Sequence, residues 1–118
     1  MNVEFIDKGK LKIAHIISDN IEIHNTQDAL DLLMNFRYQD AEAMIIYEHN
    51  LIPAFFDLKT KIAGDILQKF STYQSKLSII GHFEKYSSQS LHDFMLESNK
   101  SGRINFVSTL NEAIQSLA

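Results

Sequence analysis

Three short runs stand out along the chain: AMIIY at residues 43–47, LSIIG at 77–81 and INFV at 104–107. Each is rich in apolar residues without the strict alternation of a strand that leaves one face in water. This is the pattern of strands covered on both faces by helices. The segments between them carry helical spacing instead. Ala29, Leu30, Leu33, Met34 and Phe36 form one stripe, and Ile62, Ala63, Ile66, Leu67 and Phe70 a second. Leu91, Phe94 and Met95 form a third. Alternation of this kind specifies an α/β domain with parallel strands joined by right-handed helical crossovers.

The start of the chain is different. VEFI at residues 3–6, a DKGK turn around Gly9 and LKIAHII at 11–17 read as a β-hairpin, and Ile21–Ile23 as a short further strand. The expected fold is therefore α/β, a mixed sheet with an N-terminal β-hairpin followed by alternating helices and parallel strands. Local signals mark the helix ends. Asn25 or Thr26 can cap the first helix, which ends near Gln39, and Ser87 or Ser88 can cap the third, which Gly102 terminates. Thr109 with Glu112 forms a capping box ahead of Leu110, Ala113, Ile114 and Leu117.

A chain of 118 residues suits one domain, residues 1–118, and its 45% hydrophobic and 22% charged residues are those of an ordinary globular protein. With no cysteine, thiolate metal sites and disulfides are excluded. The N-terminal MNVEFIDKGK lacks the basic start and apolar stretch of a signal peptide, so a cytoplasmic protein is expected. The apolar runs fall far short of the roughly 20 residues that span a bilayer, so no membrane association is expected. A net charge of −4, with Lys59, Lys61 and Lys69 interleaved with acids, argues against nucleic acid as a partner.

Sites of known chemistry are mostly missing. Gly9, Gly64, Gly81 and Gly102 lie too far apart for a phosphate-binding loop or a dinucleotide fingerprint, and no serine sits in a nucleophile elbow. The five histidines show no helical pairing with an adjacent acid, so neither a metal nor a cofactor is expected. His15, among apolar neighbours in a strand, reads as a satisfied sheet histidine. His49 and His82 differ, because each follows a parallel strand, where open α/β sheets bind ligands. That edge gathers Glu48, His49, His82, Phe83 and Ser108, with Asp57 and Thr60 as further candidates for it, and a ligand site there requires a concave pocket. Asp57 and Thr60 stand at the start of the second helix, where they can cap it or accompany a bound or attached phosphate.

The segment FFDLKTKIAGDILQKFSTYQSKLSIIGHF, with DALDLL before it and SLHDFMLESNKSG after it, resembles a family of small bacterial proteins, domain of unknown function 4180. The resemblance implies a glycine at the position of Lys61 and an aspartate at that of His82, which argues against a catalytic role for His82. The element order, the Asp57-to-Thr60 segment and the closing TLNEAIQSL helix also resemble a STAS domain, the fold of anti-sigma-factor antagonists. That likeness implies a switch by phosphorylation of a serine or threonine just after an aspartate. Thr60 is the nearest match, although Leu58 and Lys59 separate it from Asp57.

The leading expectation is thus a non-enzymatic, STAS-like regulatory module that binds a protein partner through Asp57, Thr60 and the second helix. The alternative is a small-ligand-binding or hydrolytic domain using Glu48, His49 and His82. A structural homodimer, formed through a helix face or the open hairpin edge, is a third.

Overall fold

A computed structural model describes residues 1–118. The hairpin forms as the sequence suggests: β1 (Asn2–Lys8) and β2 (Leu11–Ile17) pair antiparallel around Gly9, whose φ of 63° is one that glycine adopts without strain. The chain then alternates through α1 (Thr26–Tyr38), β3 (Ala43–Tyr47), α2 (Ile62–Thr72), β4 (Lys76–Ile80), α3 (Gln89–Ser101), β5 (Ile104–Val107) and α4 (Leu110–Leu117). The strands lie in the order β1-β2-β3-β4-β5, with every neighbour after the hairpin parallel. This is the α/β mixed sheet expected from the sequence.

Because each crossover steps the same way across the sheet, α1, α2 and α3 all cover one face. Their buried Leu33, Phe36, Ile66, Phe70, Leu91 and Met95 meet Ile16, Met44, Ile46, Leu77, Ile79 and Ile104 in the main core. The opposite face receives alternate strand residues, Ile13, Ala43, Ile45 and Ile80, and α4 packs on them through Ala113 and Leu117. Helix α4 touches β3, β4 and β5 and leaves the hairpin end of that face without a helix.

The caps fall among the expected residues. Asn25 accepts from the Asp28 amide, Ser88 from Leu91 and Thr109 from Glu112, and Gly102 closes α3 with φ of 80°. Three expectations need correcting. Ile21–Ile23 forms no strand, only one parallel bridge from Ile23 to Leu51. Met34 is 45% exposed, because α1 turns Ala29, Leu33 and Phe36 to the core, with Leu32 partly buried beside them. Asp57 and Thr60 belong to a 3-10 turn ahead of the second helix, the last of three such turns between Glu48 and Thr60, and α2 begins only at Ile62 with Lys61 at its cap position. No helix is long and apolar enough to cross a membrane.

Candidate functional site

The parallel strands β3, β4 and β5 all point their carboxyl ends to one edge, and the loops leaving them enclose a cleft of about 580 Å³. That volume is within the range of small-molecule sites. Its walls combine apolar Ile21, Leu51, Pro53, Phe56 and Ile80 with Tyr47, Glu48, His49, His82, Lys85, Tyr86 and Ser108. Glu48, His49 and His82 therefore come together, with Ser108 beside them.

Asn50 sets the first wall. Its side chain is fully buried, accepts from the Tyr47 amide at 3.0 Å, and donates to the carbonyls of Ser18 (2.9 Å) and Asn20 (2.8 Å). The loop after β2 is thus bound to the loop after β3. His49 donates through Nε2 to the Ser18 carbonyl at 2.9 Å. A carbonyl only accepts, so Nε2 carries hydrogen and Nδ1 of the neutral ring keeps its lone pair.

Glu48 anchors the second wall. Its Oε2 takes Lys85 Nζ at 2.7 Å and the Tyr86 hydroxyl, while Oε1 has one long contact, 3.4 Å, from the His82 amide. Burial opposes ionisation of this carboxyl. The hydrogen bonds from Lys85, Tyr86 and the His82 amide, with the Lys85 charge, outweigh that cost and hold it below the usual glutamate range. The same contact works in reverse on Tyr86, whose phenol is pushed well above its ordinary value by burial first and by the adjacent carboxylate second. Tyr86 is held from behind by Phe56, stacked at 4.9 Å with ring planes 16° apart, and by His92, which donates to its carbonyl.

Asp57 and Thr60 lie outside this cleft, on the exposed turn that leads into α2. The Asp57 carboxylate accepts from the Lys59 amide at 3.1 Å. The Thr60 hydroxyl donates toward the carbonyls of Ala54 (2.7 Å) and Asp57 (2.8 Å) and accepts from the Ile62 amide at 3.3 Å. Both side chains are engaged in local turn geometry. Phe83 does not line the cleft but packs beneath it, on Phe56 and Phe106.

Sequence reasoning missed Lys85, Tyr86, Asn50 and Tyr47. Lys85 and Tyr86 lie five and six residues beyond the end of β4, past the reach of a rule about strand ends. In sequence Tyr47 is only the last residue of an apolar strand run. No three His, Asp or Glu side chains converge as a metal-binding set. What the cleft offers is hydrogen bonding: a fixed carboxylate acceptor, two imidazoles and an ammonium against an apolar wall.

No curated protein and no solved structure matches the chain. A family profile does match, over residues 8–117, which takes in β2, the parallel strands and the cleft but only the last residue of β1, and the chain belongs to the family described as Domain of unknown function (DUF4180).

Proposed function

We propose that this domain binds a small molecule in the cleft at the carboxyl ends of β3, β4 and β5. One observation carries the reading: Glu48, whose carboxyl is held below the usual glutamate range, has Oε2 doubly engaged and Oε1 left with a single 3.4 Å contact. An acceptor held in this way suits a ligand N–H or O–H, because the fixed charge needs no reorganisation on binding. Phe56, Leu51 and Ile21 supply the apolar wall that such a ligand needs for its body. Because its basicity is lowered, Glu48 acts here as an anchor rather than as a base.

A thermal-shift screen of small polar aromatics and amides, run on wild type and on Glu48→Ala, tests this. Ligands that raise the wild-type Tm and leave the variant unmoved support it, since binding stabilises by RT ln(1 + [L]/Kd). Hits that stabilise both proteins equally count against Glu48 as the anchor.

A second reading retains the STAS-like regulatory module acting through Asp57 and Thr60. It is favoured by the exposure of Asp57, Lys59, Thr60 and Lys61 along one turn. A phosphate on Thr60 would remove the hydrogen now donated to Ala54 and Asp57 and would meet the two lysines. A pull-down with wild type, Asp57→Ala and Thr60→Glu separates the readings, because only the regulatory one requires a partner lost from both variants.

A further inference from the structure

His15 is the one titratable side chain of the sheet that is nine-tenths buried, on the face that α4 leaves partly open. Burying an imidazole costs free energy that an isoleucine at the same position would not incur, unless both ring nitrogens are satisfied. Both are. Nδ1 lies 3.4 Å from Glu4 Oε1, on the hairpin partner directly across the ladder, and Nε2 lies 3.0 Å from the Tyr47 hydroxyl on β3. A carboxylate only accepts, so Nδ1 carries the hydrogen, Nε2 is the bare nitrogen, and the Tyr47 O–H donates to it. Tyr47 is also a wall of the cleft, its ring stacked 5.7 Å from that of His49.

We propose that Glu4, His15 and Tyr47 form a proton relay that makes Tyr47 the proton-exchanging group of the cleft. The inference rests on the small-molecule reading above and deepens it, giving the cleft acid–base chemistry on a compound with a weakly acidic proton, such as the C–H beside a carbonyl. In the transfer the substrate C–H bond breaks and its electron pair stays on the substrate as an enolate. The proton forms a new bond to Tyr47 Oη as the former Oη hydrogen passes to His15 Nε2. The Glu4 carboxylate then faces the imidazolium through Nδ1–H, and Lys85 in the same cleft supplies a cation for the enolate. Tyr47 is the catalytic residue in this scheme; His15 and Glu4 are positioning residues acting through it.

The relay requires a definite tautomer, and long-range ¹⁵N NMR reads it in the unliganded wild type. The expected result is His15 protonated at Nδ1 and bare at Nε2. A second readout is acetylation of tyrosine by N-acetylimidazole, followed by mass spectrometry, with Tyr38, which is 91% exposed, as internal standard. In that reaction Oη bonds to the acetyl carbon, the acetyl–nitrogen bond breaks, and the phenolic proton travels through His15 to the leaving imidazole. Tyr47 is expected to react faster than Tyr38, and at least about tenfold slower in His15→Gln, whose amide accepts a hydrogen bond but takes no proton. If His15→Gln does not fold, Glu4→Gln, at an exposed position, is expected to slow Tyr47 with Tyr38 unchanged. An Nε2–H tautomer, or a Tyr47 rate below that of Tyr38 or insensitive to these variants, overturns the relay. Neither readout uses a ligand, so its failure is distinct from failure of the Glu48-dependent binding screen.

Discussion

Gly81 and Glu48 touch across the gap between β3 and β4 so closely that a β-carbon on Gly81 would lie 2.7 Å from both Cβ and Oε1 of Glu48. Glycine is required here for close approach, because any side chain would occupy the position of the carboxylate. Gly81→Ala is therefore expected to push Glu48 off its anchor and destabilise the domain by about 1–3 kcal/mol, the usual cost of overpacking. Urea unfolding measures the loss, and chemical shifts of Lys85 and Tyr86 report whether Glu48 has moved.

The Glu48–Tyr86 contact also has pH signatures at both ends of the scale. Glu48 is held below its ordinary value of about 4.3, so the stability it contributes is present above that pH and is lost as pH falls through its folded-state value. Asp28, lowered chiefly by the His24 amide, acts in the same direction in the acid limb. Tyr86 is raised above the ordinary tyrosine value of about 10, so its contribution is complete below that pH and is lost as pH climbs through the folded-state value. Absorbance titration is expected to show a late-ionising tyrosine that disappears in Tyr86→Phe and ionises earlier in Glu48→Ala.

Lys61 adopts φ of 66°, in the left-handed region that costs an L-residue about 1–2 kcal/mol, and its side chain makes no capping bond. The glycine that the family resemblance implies at this position fits that backbone without strain. Lys61→Gly is expected to raise stability by about 0.5–1 kcal/mol, the relieved strain less the added unfolded-state entropy of glycine. Denaturant midpoints of the two proteins measure this. A fall in stability would show that Lys61 holds the turn by its side chain.

Asn50→Ala removes three side-chain hydrogen bonds at once and leaves the Ser18 and Asn20 carbonyls and the Tyr47 amide without that partner. The expected cost is about 2–4 kcal/mol, with faster amide exchange in both loops that Asn50 joins.

The parts of this domain legible in its sequence are those set by local periodicity and capping. The apolar runs of β3, β4 and β5 and the Thr109–Glu112 box are nearest-neighbour signals, and each forms the element its pattern specifies. The strand-end rule likewise brought Glu48, His49 and His82 to one edge, because parallel topology alone determines which loops meet. What topology does not encode is which distant side chain reaches across a loop. The bonds from Lys85 and Tyr86 to Glu48, and from Asn50 to the loop after β2, span more than 29 residues, and no spacing in the chain announces them. Asp57 and Thr60 stood out for a different reason: an acid and a hydroxyl at the start of a helix read alike whether they cap a turn or receive a phosphate. Their hydrogen bonds serve the turn.

The most direct test of the cleft as a ligand site is a ¹⁵N-HSQC titration of the wild-type protein with compounds from the thermal-shift screen. The expected result is saturable shift changes confined to Tyr47–Leu51, Ile80–Tyr86 and Ser108, weakened in Glu48→Ala. Shifts centred on residues 57–61, or no saturable shift in the cleft at all, would contradict the account.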